Sequence, residues 1–326
     1  MYKEKVVTLT RPIPQSQVER LQSEFPNFKF NPENRSLSHD EMLEFVRGAH
    51  GILSILTDRI DAEIIAAAGP QLKIIANYAV GYDNIDIECA TKQGVFVTNT
   101  PGVLTDATAD FCWALLLAVT RRIVEADQFS RAGRFDGWAP LLLLGGDLMG
   151  KTLGIVGAGR IGTAMAMRSL GWKMRIIYYS NKANPILDEM GAVKVNLQHL
   201  LRESDFVSLH VPLTRATDKM INAETLSLMK PSAYLINTSR GKVVDEKALV
   251  QSLKNKTIAG AGLDVFEDEP TINQDLIKMN NVVVAPHIGS ATIETRTQMA
   301  KIAVDNVIAA LSGRRPPNLV NPEVWK

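Results

Sequence analysis

Residues 151–162 read KTLGIVGAGRIG. An apolar run, TLGIV, meets three glycines, Gly157, Gly159 and Gly162, spaced G-x-G-x-x-G, and a helical pattern over 161–170 follows. The spacing alone is a weak signal, but a strand before it and a helix after it make it the turn of a dinucleotide-binding βαβ unit. In such a turn Gly157 permits the tight bend, Gly159 lets the backbone approach a pyrophosphate, and Gly162 lets helix and strand pack closely. The helix N-terminus adds N–H donors and the positive end of its dipole.

Downstream, MRIIYY, DFVSLHVP, AYLINTS, IAGAGLDVF and NVVVAPHIG continue the alternation of apolar strands with helical segments. With TLGIV they make six strands, enough for one doubly wound parallel sheet. Upstream, KVVTLT, GILSIL, LKIIANYA and GVFVTNT alternate with amphipathic segments at 16–25 and 61–68, which predicts a second parallel sheet. A turn at Asn99-Thr100-Pro101-Gly102 precedes one long helical pattern over 105–132, which either links domains or packs against a second subunit. The loop GRFDGWAPLLLLGGDLMG, 133–150, offers Trp138 and four consecutive leucines either to a neighbouring subunit or to its own domain. From 291 to 311 a last amphipathic helix returns. The fold class expected is α/β with two Rossmann-like domains and doubly wound parallel sheets. A cofactor domain, 101–287, is inserted into a discontinuous substrate domain, 1–100 plus 288–326.

At 326 residues two such domains are the natural expectation. The 36 basic and 35 acidic residues leave a net charge of +1, too little to hold nucleic acid or an anionic membrane by its field. The longest apolar stretch, 111–119, falls short of the roughly 20 residues that span a bilayer. Cys89 and Cys112 show no metal-ligand or redox spacing, so no metal is expected and the thiols read as buried and reduced. The opening MYKEKVVTLTRPIP has no signal-peptide core. A cytoplasmic protein with a small-molecule partner is expected, with neither nucleic acid nor membrane.

An Asp or Glu about 20 residues after the glycine turn would bond the ribose hydroxyls of NAD. Here the strand ends Tyr178-Tyr179-Ser180-Asn181-Lys182, with no carboxylate before Asp188. NADP(H) is therefore the expected cofactor, with NAD(H) possible if Lys182 is only a solvated loop residue. Three polar residues lie at successive strand ends: Arg240 after YLINTS, Glu269 after GLDVFED, and His287 after NVVVAP. Open α/β sheets bind ligands there. Reduction of a 2-keto acid needs a cation for the carboxylate and carbonyl, which suits the forked guanidinium of Arg240. It also needs a proton donor, which suits His287, and a partner that orients the imidazole, which suits Glu269. Each has a plain structural alternative as a helix cap, a turn residue or a core histidine. Together, downstream of a nucleotide turn, they read as a catalytic set. His210-Val211-Pro212 ends another strand and is expected to line the nicotinamide pocket.

The stretches TLGIVGAGRIG, LINTSRGKVVDEKAL, GLDVFEDEP and APHIGSAT resemble the D-isomer-specific 2-hydroxyacid dehydrogenase family. PHIGSATIETR, Gly137-Trp138 with Pro140, and PPNLVNPEV resemble its glyoxylate/hydroxypyruvate reductase branch, shared with some 2-ketogluconate reductases. The resemblance implies Arg240 as substrate-binding and polarising residue, Glu269 as partner of His287, and His287 as proton donor. It implies that the backbone N–H groups of Val80 and Gly81, in NYAVGYDNID, hold the substrate carboxylate. It also implies cofactor contacts from Thr108, Ala158, Arg160 and Ile161 between the glycines, Ser180, Asn181, Lys182, Pro212, Thr238, Ser239, Arg240, Asp264 and His287. Arg296 either approaches the substrate or faces a helix neighbour. A homodimer built on the helix after the domain junction is implied as well. NADPH-preferring members often carry Arg where Asn181 stands, which weakens the NADP reading. The expected activity is reduction of a small 2-keto acid, glyoxylate or hydroxypyruvate, to the D-2-hydroxy acid in a cleft that closes by hinge motion. The alternatives are a bulkier substrate such as 2-ketogluconate, or a nucleotide-sensing corepressor on the same scaffold.

Overall fold

A computed structural model describes residues 2 and 4–325. The chain divides into two compact units, one of Met1–Leu104 with Ala291–Lys326 and the other of Thr105–Ser290. In the first, β1 (Val7–Leu9), β2 (Lys29–Phe30), β3 (Gly51–Ile55), β4 (Ile74–Tyr78) and β5 (Phe96–Thr98) form a parallel sheet ordered β2-β1-β3-β4-β5. Such an order reverses direction between β1 and β3, as in flavodoxin-like sheets. β4 is buried along its length, which is why IIANY carries no alternation. The helix Ile293–Leu311, capped by Thr292, packs on β3 and β4 and buries Met299, Val304 and Val307. Each such side chain contributes about 1.5–3 kcal/mol by leaving water. The tail closes the far edge of the sheet: Asn321 accepts from the Val97 N–H at 2.8 Å and donates to the Val95 carbonyl at 2.9 Å.

In the second unit, β6 (Thr152–Val156), β7 (Arg175–Tyr179), β8 (Val193–Lys194), β9 (Phe206–Leu209), β10 (Tyr234–Asn237), β11 (Gly260–Leu263) and β12 (Val282–Val284) form a parallel sheet ordered β12-β11-β10-β9-β6-β7-β8. Seven strands replace the six expected. The addition, β8, has two residues and is paired to β7 through Tyr178↔Lys194, too short to show any periodicity. The order reverses between β6 and β9, where a doubly wound sheet opens its ligand crevice.

The single helix expected over 105–132 is two helices, Thr105–Thr120 and Ile123–Arg131. Arg122 takes φ 53°, and the Thr120 carbonyl accepts the Gly146 N–H at 3.1 Å instead of continuing the ladder. No Pro or Gly marks the break; two bonds from the Arg122 guanidinium to Glu125, at 2.8 and 2.9 Å, hold it. Trp138, Leu141 and Leu144 are 86, 79 and 61% exposed, so they do not pack on their own domain. Cys112 is buried, but Cys89 is only partly so, a correction to the reading of two buried thiols. Among the described residues no helix is long and apolar enough to cross a membrane.

Candidate active site

The glycine turn is built by what its residues lack. Gly157 turns the chain at φ +100°, where a Cβ would stand 2.7 Å from the His210 backbone at the end of β9. The two strand ends that flank the reversal therefore meet backbone to backbone. A Cβ on Gly162 would collide with the Gly157 carbonyl, whereas the position of a Cβ on Gly159 is open space. Gly159 starts the helix Arg160–Arg168 without a side-chain cap, leaving the first-turn N–H groups, with Ala158, Arg160 and Ile161 beside them, for an anion. A pyrophosphate fits this turn.

Strand β7 delivers Ser180, Asn181 and Lys182, the last two exposed, to the loop beyond its end. Asp188, the first carboxylate after the strand, accepts the hydroxyl of buried Tyr178 at 2.6 Å. Sequence reasoning missed Asn184. Its amide donates to the Ala158 carbonyl at 2.9 Å and the Thr163 hydroxyl at 2.7 Å, while its oxygen caps the helix Pro185–Glu189. It ties the glycine turn to the loop of Ser180–Lys182. Asn before Pro was a legible cap signal; the tie was not, because Ala158 lies 26 residues away.

The predicted catalytic residues converge within the second unit. His287 Nδ1 lies 2.9 Å from Glu269 Oε2, and their side chains are 25 and 28% exposed, neither sealed nor bare. A carboxylate only accepts, so Nδ1 carries the shared proton and Nε2 is the nitrogen left to face a reactant. The other Glu269 oxygen accepts the Phe266 N–H at 3.0 Å. Burial pushes the Glu269 carboxyl up, but the hydrogen bond and charge of His287, the Phe266 N–H and the charge of Arg240 outweigh it, and the net direction is down.

Backbone contacts fix this geometry. His287 adopts φ 56°, a conformation rare outside glycine. Asp264 holds it there: its carbonyl accepts the His287 N–H at 2.9 Å and its carboxylate accepts the N–H groups of Ile288 and Gly289 at 2.8 and 2.7 Å. Burial nonetheless pushes the Asp264 carboxyl up. Gly241 has no room for a Cβ, which would collide with the Phe266 carbonyl, so the chain after Arg240 runs against the turn that carries Glu269. Asn237 accepts from both the N–H and hydroxyl of Ser239 and donates to the Arg240 carbonyl at 2.9 Å.

The other predicted contacts are distributed around these. Thr108 is buried, with its methyl 3.5 Å from where a Gly289 Cβ would stand. The Thr238 hydroxyl lies 2.9 Å from the thiol of Cys112, whose burial pushes it up to about 12. Pro212 is exposed, and its carbonyl accepts the Thr217 hydroxyl. His210 is pushed down to about 3 by burial and pairs with the Ser208 hydroxyl at 2.8 Å. In the first unit Val80 and Gly81 follow β4, half-buried, and the Arg296 carbonyl accepts the Tyr78 hydroxyl at 2.8 Å. Among the described residues no group of three or more His, Cys, Asp and Glu side chains is arranged to hold a metal ion.

Residues 113–289 match the family model described as D-isomer specific 2-hydroxyacid dehydrogenase, NAD binding domain. The chain is 55% identical over 323 residues to a glyoxylate reductase of Thermococcus litoralis, covering 98% of this chain and 97% of that one. It belongs to the D-isomer specific 2-hydroxyacid dehydrogenase family. Solved structures agree. The TT0316 protein of Thermus thermophilus superposes with a TM-score of 0.90 at 45% identity, over 97% of this chain and 99% of that one. The NADPH-dependent glyoxylate/hydroxypyruvate reductase of Sinorhizobium meliloti, in complex with NADP and malonate, superposes at 0.85 with 35% identity, over 98 and 97%. This 2-hydroxyacid dehydrogenase is thus an NAD(P)-dependent oxidoreductase with two parallel-sheet α/β domains.

Proposed function

We propose that this dehydrogenase reduces glyoxylate, and hydroxypyruvate as a close second, to the D-2-hydroxy acid with NADPH, in the cytoplasm and as a homodimer. The observation that carries the reading is the 2.9 Å contact between His287 and Glu269 beside the strand end that bears Arg240. The Thermococcus relative's name supports the choice of substrate. The nicotinamide, when bound, supplies a hydride to the carbonyl carbon. Arg240 binds the carboxylate and polarises the carbonyl. His287, oriented by Glu269, gives the proton that the new alkoxide takes up. Val80 and Gly81 donate their N–H groups to the carboxylate. The Thr105–Ser290 unit holds the cofactor through the 157–162 turn, Ser180–Lys182, Thr108, Pro212, Thr238, Ser239 and Asp264, and the other unit is the substrate domain.

Preference for NADPH is supported by the lack of a carboxylate from Tyr179 through Leu187, and by the engagement of Asp188 with Tyr178. An acid in that loop would repel a 2′-phosphate; Ser180, Asn181 and Lys182 donate hydrogen bonds to one. A homodimer is supported by the exposed apolar loop of Trp138, Leu141 and Leu144. Initial rates with NADPH and NADH, each against glyoxylate, hydroxypyruvate and 2-ketogluconate, test the proposal. The expected ranking puts NADPH with glyoxylate first. A higher kcat/KM for 2-ketogluconate would overturn the substrate assignment, and equal rates with NADH would overturn the cofactor assignment.

A further inference from the structure

We infer that Asn99 and Asn77 are positioning residues that aim a run of backbone N–H groups, those of Val80, Gly81 and Tyr82, at the substrate carboxylate. The inference rests on the proposed role of this loop and adds to it what sets the donors' direction.

In a trans peptide the carbonyl and the following N–H point opposite ways. Among the described residues the cis peptide is that of Glu269–Pro270, so the peptides after Ala79, Val80 and Gly81 are trans. All three carbonyls are held. Ala79 accepts the Thr100 N–H at 2.8 Å, Val80 accepts Asn99 Nδ2 at 2.8 Å, and Gly81 accepts Asn77 Nδ2 at 2.9 Å. Their partners sit on β4 and just after β5, so the N–H groups of Val80, Gly81 and Tyr82 turn away from those strand ends. Among the described residues none of the three donates to another backbone carbonyl. Three adjacent amides without a backbone acceptor make a cradle suited to an anion with several oxygens.

The anchor beneath is itself locked. Asn77 Oδ1 accepts the Ser54 hydroxyl at 3.1 Å, and Asn77 Nδ2 also donates to Asn84 Oδ1 at 3.0 Å. Asn84 Nδ2 donates to the carbonyls of Ile55 and Asp58 at 3.1 and 2.9 Å, and the Asp58 carboxylate accepts the Ile55 N–H and the Thr10 hydroxyl. Ser54, Asp58 and Asn77 are buried, so every partner matters: a buried amide with one bond missing is costly, whereas apolar packing would have held a loop without that risk. The polar set fixes which way the carbonyls face, which apolar packing does not.

The test uses the full chain with NADP⁺ bound and oxalate as the probe anion, followed by ¹⁵N-edited spectra, together with steady-state kinetics of Asn99→Ala and Asn77→Ser. Oxalate is expected to shift the amides of Val80, Gly81 and Tyr82. Each variant is expected to raise KM for glyoxylate about tenfold, on the scale of a charge-assisted hydrogen bond, with kcat and the KM for NADPH unchanged. If wild-type amides respond to oxalate but both variants keep the wild-type KM, the positioning role is wrong and the carboxylate site stands. If those amides ignore oxalate, the carboxylate site itself is wrong. A fall in kcat together with a rise in KM for both glyoxylate and NADPH would mark a merely structural role and overturn the inference.

Discussion

At the scale of residues, the proposed chemistry depends on an imidazole whose two nitrogens have different duties. With Nδ1 bonded to Glu269, the ring is held in one orientation and Nε2 is left for proton transfer. Replacing His287 by Ala is expected to lower kcat about a hundredfold or more, the usual scale of acid–base catalysis, while the affinity for NADPH measured by fluorescence titration stays near wild type. Unchanged turnover would remove His287 from the mechanism. Glu269 titrates below the ordinary carboxylate range, so its contribution to stability is fully present above that range and is lost as pH falls through the lowered value. Accordingly, the difference in Tm between wild type and Glu269→Gln should persist from neutral pH to about pH 5 and shrink on further acidification. A gap that went on widening below about pH 5 would contradict this pairing. Arg240, Glu269 and His287 could be picked out as candidates from the sequence because each proposed chemistry needs a particular side chain at a strand end, and the contact of His287 with Glu269 agrees with that choice. The family resemblance offered Asp264 as a cofactor contact; its hold on the N–H groups of Ile288 and Gly289 was not legible, since it spans 24 and 25 residues.

At the scale of elements, the turn after β6 and the loop after β7 act as one piece because Asn184 joins them. Removing the amide in Asn184→Ala should weaken binding of NADPH and NADH alike, whereas Lys182→Asp should raise the KM for NADPH more than that for NADH. Initial-rate measurements separate the two patterns; equal effects of Lys182→Asp on both cofactors would mean that the loop does not read the 2′-phosphate. The glycine turn could be read from its letters because each glycine answers a local requirement. The break at Arg122 could not, since its cause is a long-range hydrogen bond from Gly146 to Thr120 and a residue type with no turn preference. β8 was invisible for a different reason: two residues carry no period, and pairing with β7 alone defines it.

At the scale of the whole molecule, two doubly wound sheets were predictable because alternating apolar strands and amphipathic helices have few other ways to bury both faces of a parallel sheet. The exposed Trp138, Leu141 and Leu144 are the unmet part of that burial. If they seat on a second copy, wild type should sediment as a dimer and a Leu141→Asp/Leu144→Asp variant as a monomer; a monomeric wild type would exclude the dimer. The central claim is that the cofactor's hydride reaches the carbonyl carbon of a small 2-keto acid. The direct measurement is to incubate the enzyme with glyoxylate and NADPH deuterated at both C4 positions, and to weigh the glycolate formed. One deuterium per glycolate, with one NADP⁺ per turnover, is predicted; tight NADPH binding without labelled glycolate would contradict the account and point to a protein that binds the nucleotide without using it.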